Sequence, residues 1–269
     1  MNQVVVNNGF SAENQIIKMK KGTSGTKEWA DHNINCIKGC SNNCRYCYAK
    51  MMGIRFGRCT KNSWENMEIN QTIVKKQFKK YNGRVMFPSS HDITNKDEVK
   101  NACFTVIGKL LDVGNDILVT TKPSFDVINE LMQKFQEYQD QIQFRFTITS
   151  NNDELLKFWE PNAPSFQERI NSLQLAFQKG YKTSVSIEPF LDEKPQLLFD
   201  QLKNYVTESI WIGPMNYISR KNISNEEEIF YNKIRSNIEL ENIIKIYNDL
   251  KDEKKIRFKD TMKHMLNLS

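Results

Sequence analysis

The chain has 269 residues, 39% hydrophobic and 11% aromatic, which is enough to bury one α/β core of barrel size without disulfide staples. Its longest apolar runs, such as residues 117–119, are far too short for a bilayer, and six cysteines with three packed into residues 40–47 do not fit a secreted disulfide framework. With no signal-peptide pattern at the start, a cytoplasmic protein with no membrane association is expected; the +6 charge, 38 basic against 32 acidic residues spread along the chain, suits a polyanionic partner only weakly.

Residues 1–32, with Gly9, Gly22 and Gly25 among polar residues, read as a partly irregular N-terminal cap. From there short β-type runs alternate with helical patterns, at 33–37, 84–87, 116–121, 141–149, 183–187 and 209–212. Six such units with crossover helices predict parallel strands in an α/β fold, a partial (β/α)6 TIM-like barrel over residues 33–223. Helical faces fall between them: Val99, Cys103, Val106, Ile107 and Leu110, then Ile128, Leu131, Met132 and Phe135. The best-marked helix opens on a Ser165–Glu168 capping-box pattern, presents Phe166, Ile170, Leu173 and Phe177, and stops at Gly180. Lys75, Lys76, Lys79 and Lys80 read as a solvated face. Residues 224–269 read helical, with a short extended interruption at 256–258, and the whole as one domain.

The run CSNNCRYC supplies Cys40, Cys44 and Cys47 in CxxxCxxC spacing, directly after an apolar strand and before a helical stretch. A short loop of this kind can wrap one face of a 4Fe-4S cubane with three thiolates and leave the fourth iron without a protein ligand. S-adenosylmethionine (SAM) can chelate that iron through its amino and carboxylate groups. The competing metal is zinc, which needs a closed set of four ligands; only one CxxC exists here, and His32 is in the wrong register for a finger. Cys36 has two readings, a fourth ligand that would close the cluster or a core residue of the first strand. Cys103, on an apolar helix face, reads as a buried small hydrophobe. Cys59 follows Gly53 and Gly57 in a polar segment, and is either an inert thiol or a hydrogen-atom donor, the one candidate catalytic residue.

Polar residues gather where predicted strands end, as in parallel barrels whose chemistry sits at the C-terminal strand ends: Ser89, Ser90, His91 and Asp92; Thr121 and Lys122; Thr149 and Ser150; Glu188. Ile142, Phe144, Phe146 and Ile148 alternate with Gln143, Arg145, Thr147 and Thr149, and Val185 and Ile187 with Ser184, Ser186 and Glu188, which predicts a polar lumen. His91 can pack or act as an acid or base, and Glu160 and Arg169 can pair to fix a loop.

The cysteine run with an aromatic residue, Tyr46, before its last cysteine resembles the radical SAM signature. Residues 147–189, with Glu160-Pro161, Ala163-Pro164-Ser165, Arg169 and Gly180, together with FPSSHDIT and VTTKP, resemble the spore photoproduct lyase-related branch of that superfamily; IRFKDTMKH, 256–264, resembles the end of its short members. The resemblance implies Tyr46 near the adenine, Ser89, Ser90 and Asp92 near the SAM amino group, Lys122 and Arg169 near its carboxylate, and Thr149, Ser150 and Glu188 near ribose or adenine. It implies a 5′-deoxyadenosyl radical that takes hydrogen from a nucleic acid or nucleotide, and a reductant such as flavodoxin or ferredoxin. No cysteine follows Cys103, a departure from the lyases themselves. Against this stand a radical SAM enzyme for a small metabolite or peptide, and a non-catalytic zinc-binding nucleic-acid module. Trp64, Trp211 and Tyr217 read as core before they read as a stacking platform.

Overall fold

The computed structural model describes residues 25–220 and 223–268; most of the expected cap, including Gly9 and Gly22, lies outside them. The chain enters through β1 (His32–Asn33), β2 (Ile37–Lys38), helix α1 (Tyr48–Arg55), β3 (Glu68–Ile69) and α2 (Gln71–Lys75). A βα alternation follows: β4 (Val85–Phe87), α3 (Asp97–Asp112), β5 (Ile117–Thr121), α4 (Phe125–Lys134), β6 (Ile142–Thr147), α5 (Asp153–Trp159), α6 (Phe166–Gln178), β7 (Lys182–Ile187), α7 (Pro195–Leu202) and β8 (Ile210–Ile212). The chain closes with α8 (Asn225–Asn237), α9 (Leu240–Leu250), β9 (Ile256–Phe258) and α10 (Asp260–Met265).

Seven strands form one parallel sheet in the order β1-β4-β5-β6-β7-β8-β9, curved into a partial TIM-like barrel. This corrects two readings of the sequence. The run at 33–37 is not one strand: β1 ends at Asn33, and Ile37–Lys38 turns away to pair antiparallel with β3. The cause is local, because the Cys36 N–H donates to His91 Nε2 at 3.2 Å and Asn35 Oδ1 accepts from the Ser89 and Ser90 N–H groups at 2.7 and 2.9 Å. The extended interruption at 256–258 is a seventh strand in register with β8, so the C-terminal segment completes the sheet.

The alternation in β6 and β7 places the core as expected. Ile142, Phe144, Phe146, Val185 and Ile187 are fully buried against apolar faces of the surrounding helices, including Ile107, Leu131 and Leu173. Gln143, Arg145, Ser184 and Ser186 are equally buried on the opposite side, within the lumen. Ser165 caps α6 by accepting from the Glu168 N–H at 3.3 Å, and Gly180 ends it with φ +80°. Among the described residues no helix is long and apolar enough to cross a membrane.

Phe144 stacks on Phe146 and meets Tyr181 at a tilt, each at 5.2 Å between ring centroids. Phe144→Ala is expected to lower the unfolding free energy by about 3–5 kcal/mol, since a cavity remains where the ring was. Urea denaturation followed by circular dichroism measures it, and a loss within error of zero would show that the ring is not part of the packed core.

Candidate active site

The cysteine loop is fixed at three points before α1 begins. The Cys40 N–H donates to the Trp64 carbonyl at 2.8 Å, a close approach that only glycine at position 39 allows. Gly39 has φ +93°, and a Cβ there would lie 2.1 Å from that same carbonyl oxygen. Asn42 Nδ2 donates to Asp92 Oδ2 at 2.7 Å, and Arg45 bonds the Phe158 carbonyl at 2.8 Å and pairs with Glu227 at 2.7 Å. Cys47 then caps α1, its Sγ accepting the Lys50 N–H at 3.4 Å.

Burial pushes all three loop thiols above the ordinary cysteine range, Cys44 to about 12. At Cys40 the charges of Asp92, Cys44 and Cys47 add to it, so the thiols stand within electrostatic reach of one another. Such buried thiols ionise readily only around a metal cation. The other cysteines are engaged elsewhere. Cys36 Sγ lies 3.9 Å from Cys103 Sγ, both fully buried, and His91 bridges Cys36 N–H at Nε2 and the Asp92 carbonyl at Nδ1. The ligand-type atoms of Cys36, His91 and Cys103 lie within 4.8 Å of one another, but the Nε2 lone pair is already used by the backbone. Cys59, read as either an inert thiol or a hydrogen-atom donor, packs against Gly53 and lines a separate hollow with Lys38, Gly39 and Arg58.

Asp92, at the C-terminal end of β4, is a pin. Its carboxylate accepts from Asn42, from the Lys122 N–H at 3.0 Å, from the Ile93 N–H at 2.8 Å and from the Thr121 hydroxyl. Ser89 Oγ accepts from Asn35 Nδ2 at 2.9 Å. Beside Asp92 and Lys122 opens a groove of about 250 Å³, lined also by Ser41, Asn42 and Pro164.

Beneath the loop lies a buried ionic network centred on Glu160. Its carboxylate pairs with Arg169 Nη2 at 2.5 Å, stands 4.0 Å from Lys122 Nζ, and accepts from Thr149 Oγ1 at 2.7 Å and from the Tyr46 hydroxyl. Burial works to raise the Glu160 pKa, but Arg169 and then Lys122 outweigh it and hold the value below the ordinary one. At Lys122 burial opposes the charge, and Cys44 and Glu160 prevail, so its ammonium is held charged. Arg169, expected at the SAM carboxylate, is thus taken up by Glu160 and by the Pro164 carbonyl at 2.8 Å. Ser150 donates to Asp192 at 2.8 Å, and Glu188 lies 3.7 Å from Lys259 Nζ. Gly213 lets Lys259 and Glu188 meet, since a Cβ there would touch both side chains at 2.7 and 3.1 Å.

The structure therefore brings Cys40, Cys44, Cys47, Tyr46, Asp92, Lys122, Thr149 and Arg169 into one connected region at the C-terminal strand ends. The sequence reading passed over Asn35, Asn42, Asp192 and Lys259. Asn42 sits inside the cysteine run and Lys259 inside the 256–264 run, whereas Asn35 and Asp192 carry no local pattern.

The profile of the Radical SAM superfamily matches residues 34–194. This chain belongs to the radical SAM superfamily. Two relatives are uncharacterized proteins: one of Acidianus two-tailed virus, 23% identical over 252 residues, covering 86% of this chain and 81% of its own. The other, of Methanocaldococcus jannaschii, is 28% identical over 178 residues, covering 66% and 67%. The fold is similar to that of a spore photoproduct lyase variant, at TM-score 0.51 and 15% identity over 82% of this chain; the match spans 64% of that lyase's length. Radical SAM enzymes in general work with SAM, an iron-sulfur centre and an external reductant. That membership sets aside the reading as a zinc-binding module.

Arg169→Met leaves Glu160 buried without its nearest cation and is expected to destabilise the fold by about 3–5 kcal/mol. Adding Glu160→Gln is expected to be non-additive, with a coupling of about 0.5–3 kcal/mol in urea unfolding of the four proteins of the cycle. Simple additivity would mean that the pair does not act as one unit.

Proposed function

We propose that Cys40, Cys44 and Cys47 hold a 4Fe-4S cluster with one open iron, and that SAM binds there within reach of Lys122. The observation that carries this reading is the set of three mutually interacting thiols on one loop, Cys44 buried and Cys40 and Cys47 half-buried, with Cys36 and Cys59 turned to other partners. When bound, such a cluster supplies one electron to the sulfonium of SAM, giving methionine and a 5′-deoxyadenosyl radical that takes hydrogen from the substrate.

The chain's own residues bind and orient. Lys122, held charged and only partly exposed, is the cation for the SAM carboxylate, with Arg169 acting through Glu160. Ser89 and Ser90 face the amino group from a turn held by Asn35, and Asp92 sets the loop against β5. Thr149, Ser150 and Glu188 lie at the ribose and adenine end, and Tyr46 beside the adenine. Flavodoxin or ferredoxin is the reductant, and a nucleic acid or nucleotide the substrate. Support for that substrate class comes from the resemblance over residues 147–189 and from the basic charge.

In anaerobically reconstituted protein, Cys40→Ala, Cys44→Ala and Cys47→Ala are each expected to abolish iron loading and 5′-deoxyadenosine formation, while Cys103→Ala keeps both. Iron assay and chromatography read the outcome, and the reverse pattern would overturn the assignment. Lys122→Ala is expected to weaken SAM binding by about tenfold or more, as for loss of a charged hydrogen bond of about 1.5–3 kcal/mol, with iron content kept. Unchanged SAM affinity in equilibrium titration removes Lys122 from the site.

A further inference from the structure

Arg145, in the middle of β6, is 3% exposed, and its charge has no ion-pair partner among the described residues. Its Nε donates to Ser184 Oγ at 3.0 Å, and its guanidinium carbon lies 4.7 Å from the Trp29 ring centre and 5.4 Å from that of Trp211. Nη1 meets no acceptor among the described residues. The carboxylates whose fields reach Arg145 include Glu188 and Glu28, and both lie on Lys259 instead, at 3.7 and 2.6 Å. Burial, and after it the charge of Arg84, pushes the Arg145 pKa down to about 9, so the surroundings as they stand oppose this cation.

Two more buried atoms in the same place lack partners among the described residues: Trp29 Nε1, on the ring that faces Arg145, and Gln143 Oε1. Gln143 is held beside Arg145 because its Nε2 donates to the same Ser184 Oγ, at 3.3 Å. Folded proteins pair more than about 90% of their buried polar groups, so two donors and one acceptor left open at and beside the Arg145 guanidinium point to a missing partner. An unpaired buried cation costs several kcal/mol, which a bound anion offsets. The two indoles wall the place and give the guanidinium its π faces.

We propose that Arg145, Trp29 Nε1 and Gln143 form an oxyanion subsite in the barrel lumen that takes the phosphate or carboxylate of the substrate. An oxyanion accepts from Nη1 and the indole N–H, and its protonated oxygen or a neighbouring hydroxyl donates to Gln143 Oε1. The role as substrate subsite rests on the radical SAM reading above; the binding of the anion does not, and it can be measured without turnover.

Titration of anaerobically purified protein, followed by tryptophan emission, tests it with thymidine 5′-monophosphate, thymidine, inorganic phosphate and succinate as probes. Trp29 and Trp211 flank the guanidinium and report directly. At least one oxyanion is expected to bind, with the monophosphate preferred over thymidine by about tenfold for a phosphate site, or succinate binding for a carboxylate site. In Arg145→Gln this binding is expected to fall by about tenfold or more, to the level of thymidine. Should that variant fail to fold by circular dichroism, Gln143→Leu, which leaves the guanidinium in place, is expected to weaken binding about threefold or more. No oxyanion binding up to about 10 mM, or equal binding in the variants, would overturn the subsite and leave these atoms to ordered water. Oxyanion binding in a protein that forms no 5′-deoxyadenosine would instead overturn the radical reading and keep the site.

Discussion

One buried carboxylate ties the working parts together. Glu160 follows α5, and its two oxygens meet Arg169 from α6, Lys122 from the end of β5, Thr149 from beyond β6, and Tyr46 from the cysteine loop. Removing a carboxylate from water is costly, and here Arg169 is the partner that first reverses the cost, with Lys122 second. Two cations around one anion leave a net positive charge beneath the loop. That surplus sits beside Cys44, which Lys122 and Arg169 both help to ionise. The network thus does more for the position and charge of the site than for stability, since a well-packed apolar group of the same volume would serve stability as well.

Asp92 plays the matching part on the other side of the loop. By accepting four hydrogen bonds it joins Asn42, between the first two cysteines, to the backbone of Lys122. Displacing Asp92 would therefore move the loop and Lys122 together. A cofactor held between thiolates and an ammonium needs both at a fixed separation, and the pin and the network between them fix it.

Alternating residues in β6 and β7 announced the division between apolar outer face and polar lumen, because the period of two survives whether or not the lumen is polar. The α6 cap was legible for the same reason: Ser165, Glu168 and Gly180 are local signals. The first strand was not. Its ladder is broken by partners more than 50 residues away in sequence, the Ser89 and Ser90 N–H groups and the His91 ring, and no window around residues 33–37 contains them. Residues 256–258 were legible as extended, but nothing in so short a run told that they pair with β8 and join the sheet. In the site, the cysteines and Lys122 could be read from motifs, whereas the double engagement of Arg169 depends on where α5 ends and α6 begins.

Among the described residues the sheet has two edges, β1 and β9, and no ladder joins them. Side chains bridge the seam instead. Lys259, directly after β9, donates to the Gly25 carbonyl at 3.0 Å and pairs with Glu28, and the Asp260 N–H donates to Glu28 Oε2 at 3.2 Å. These contacts hold Trp29 edge-on to Trp211, with ring centres 5.9 Å apart, inside the opening. A closed ladder would have filled this space with backbone and branched apolar side chains. The closure is ionic and aromatic, and Lys259 holds both Glu28 and Glu188, so neither of these two carboxylates pairs with Arg145 in the lumen. The open polar atoms of the lumen are thus a consequence of how the barrel is joined at its seam.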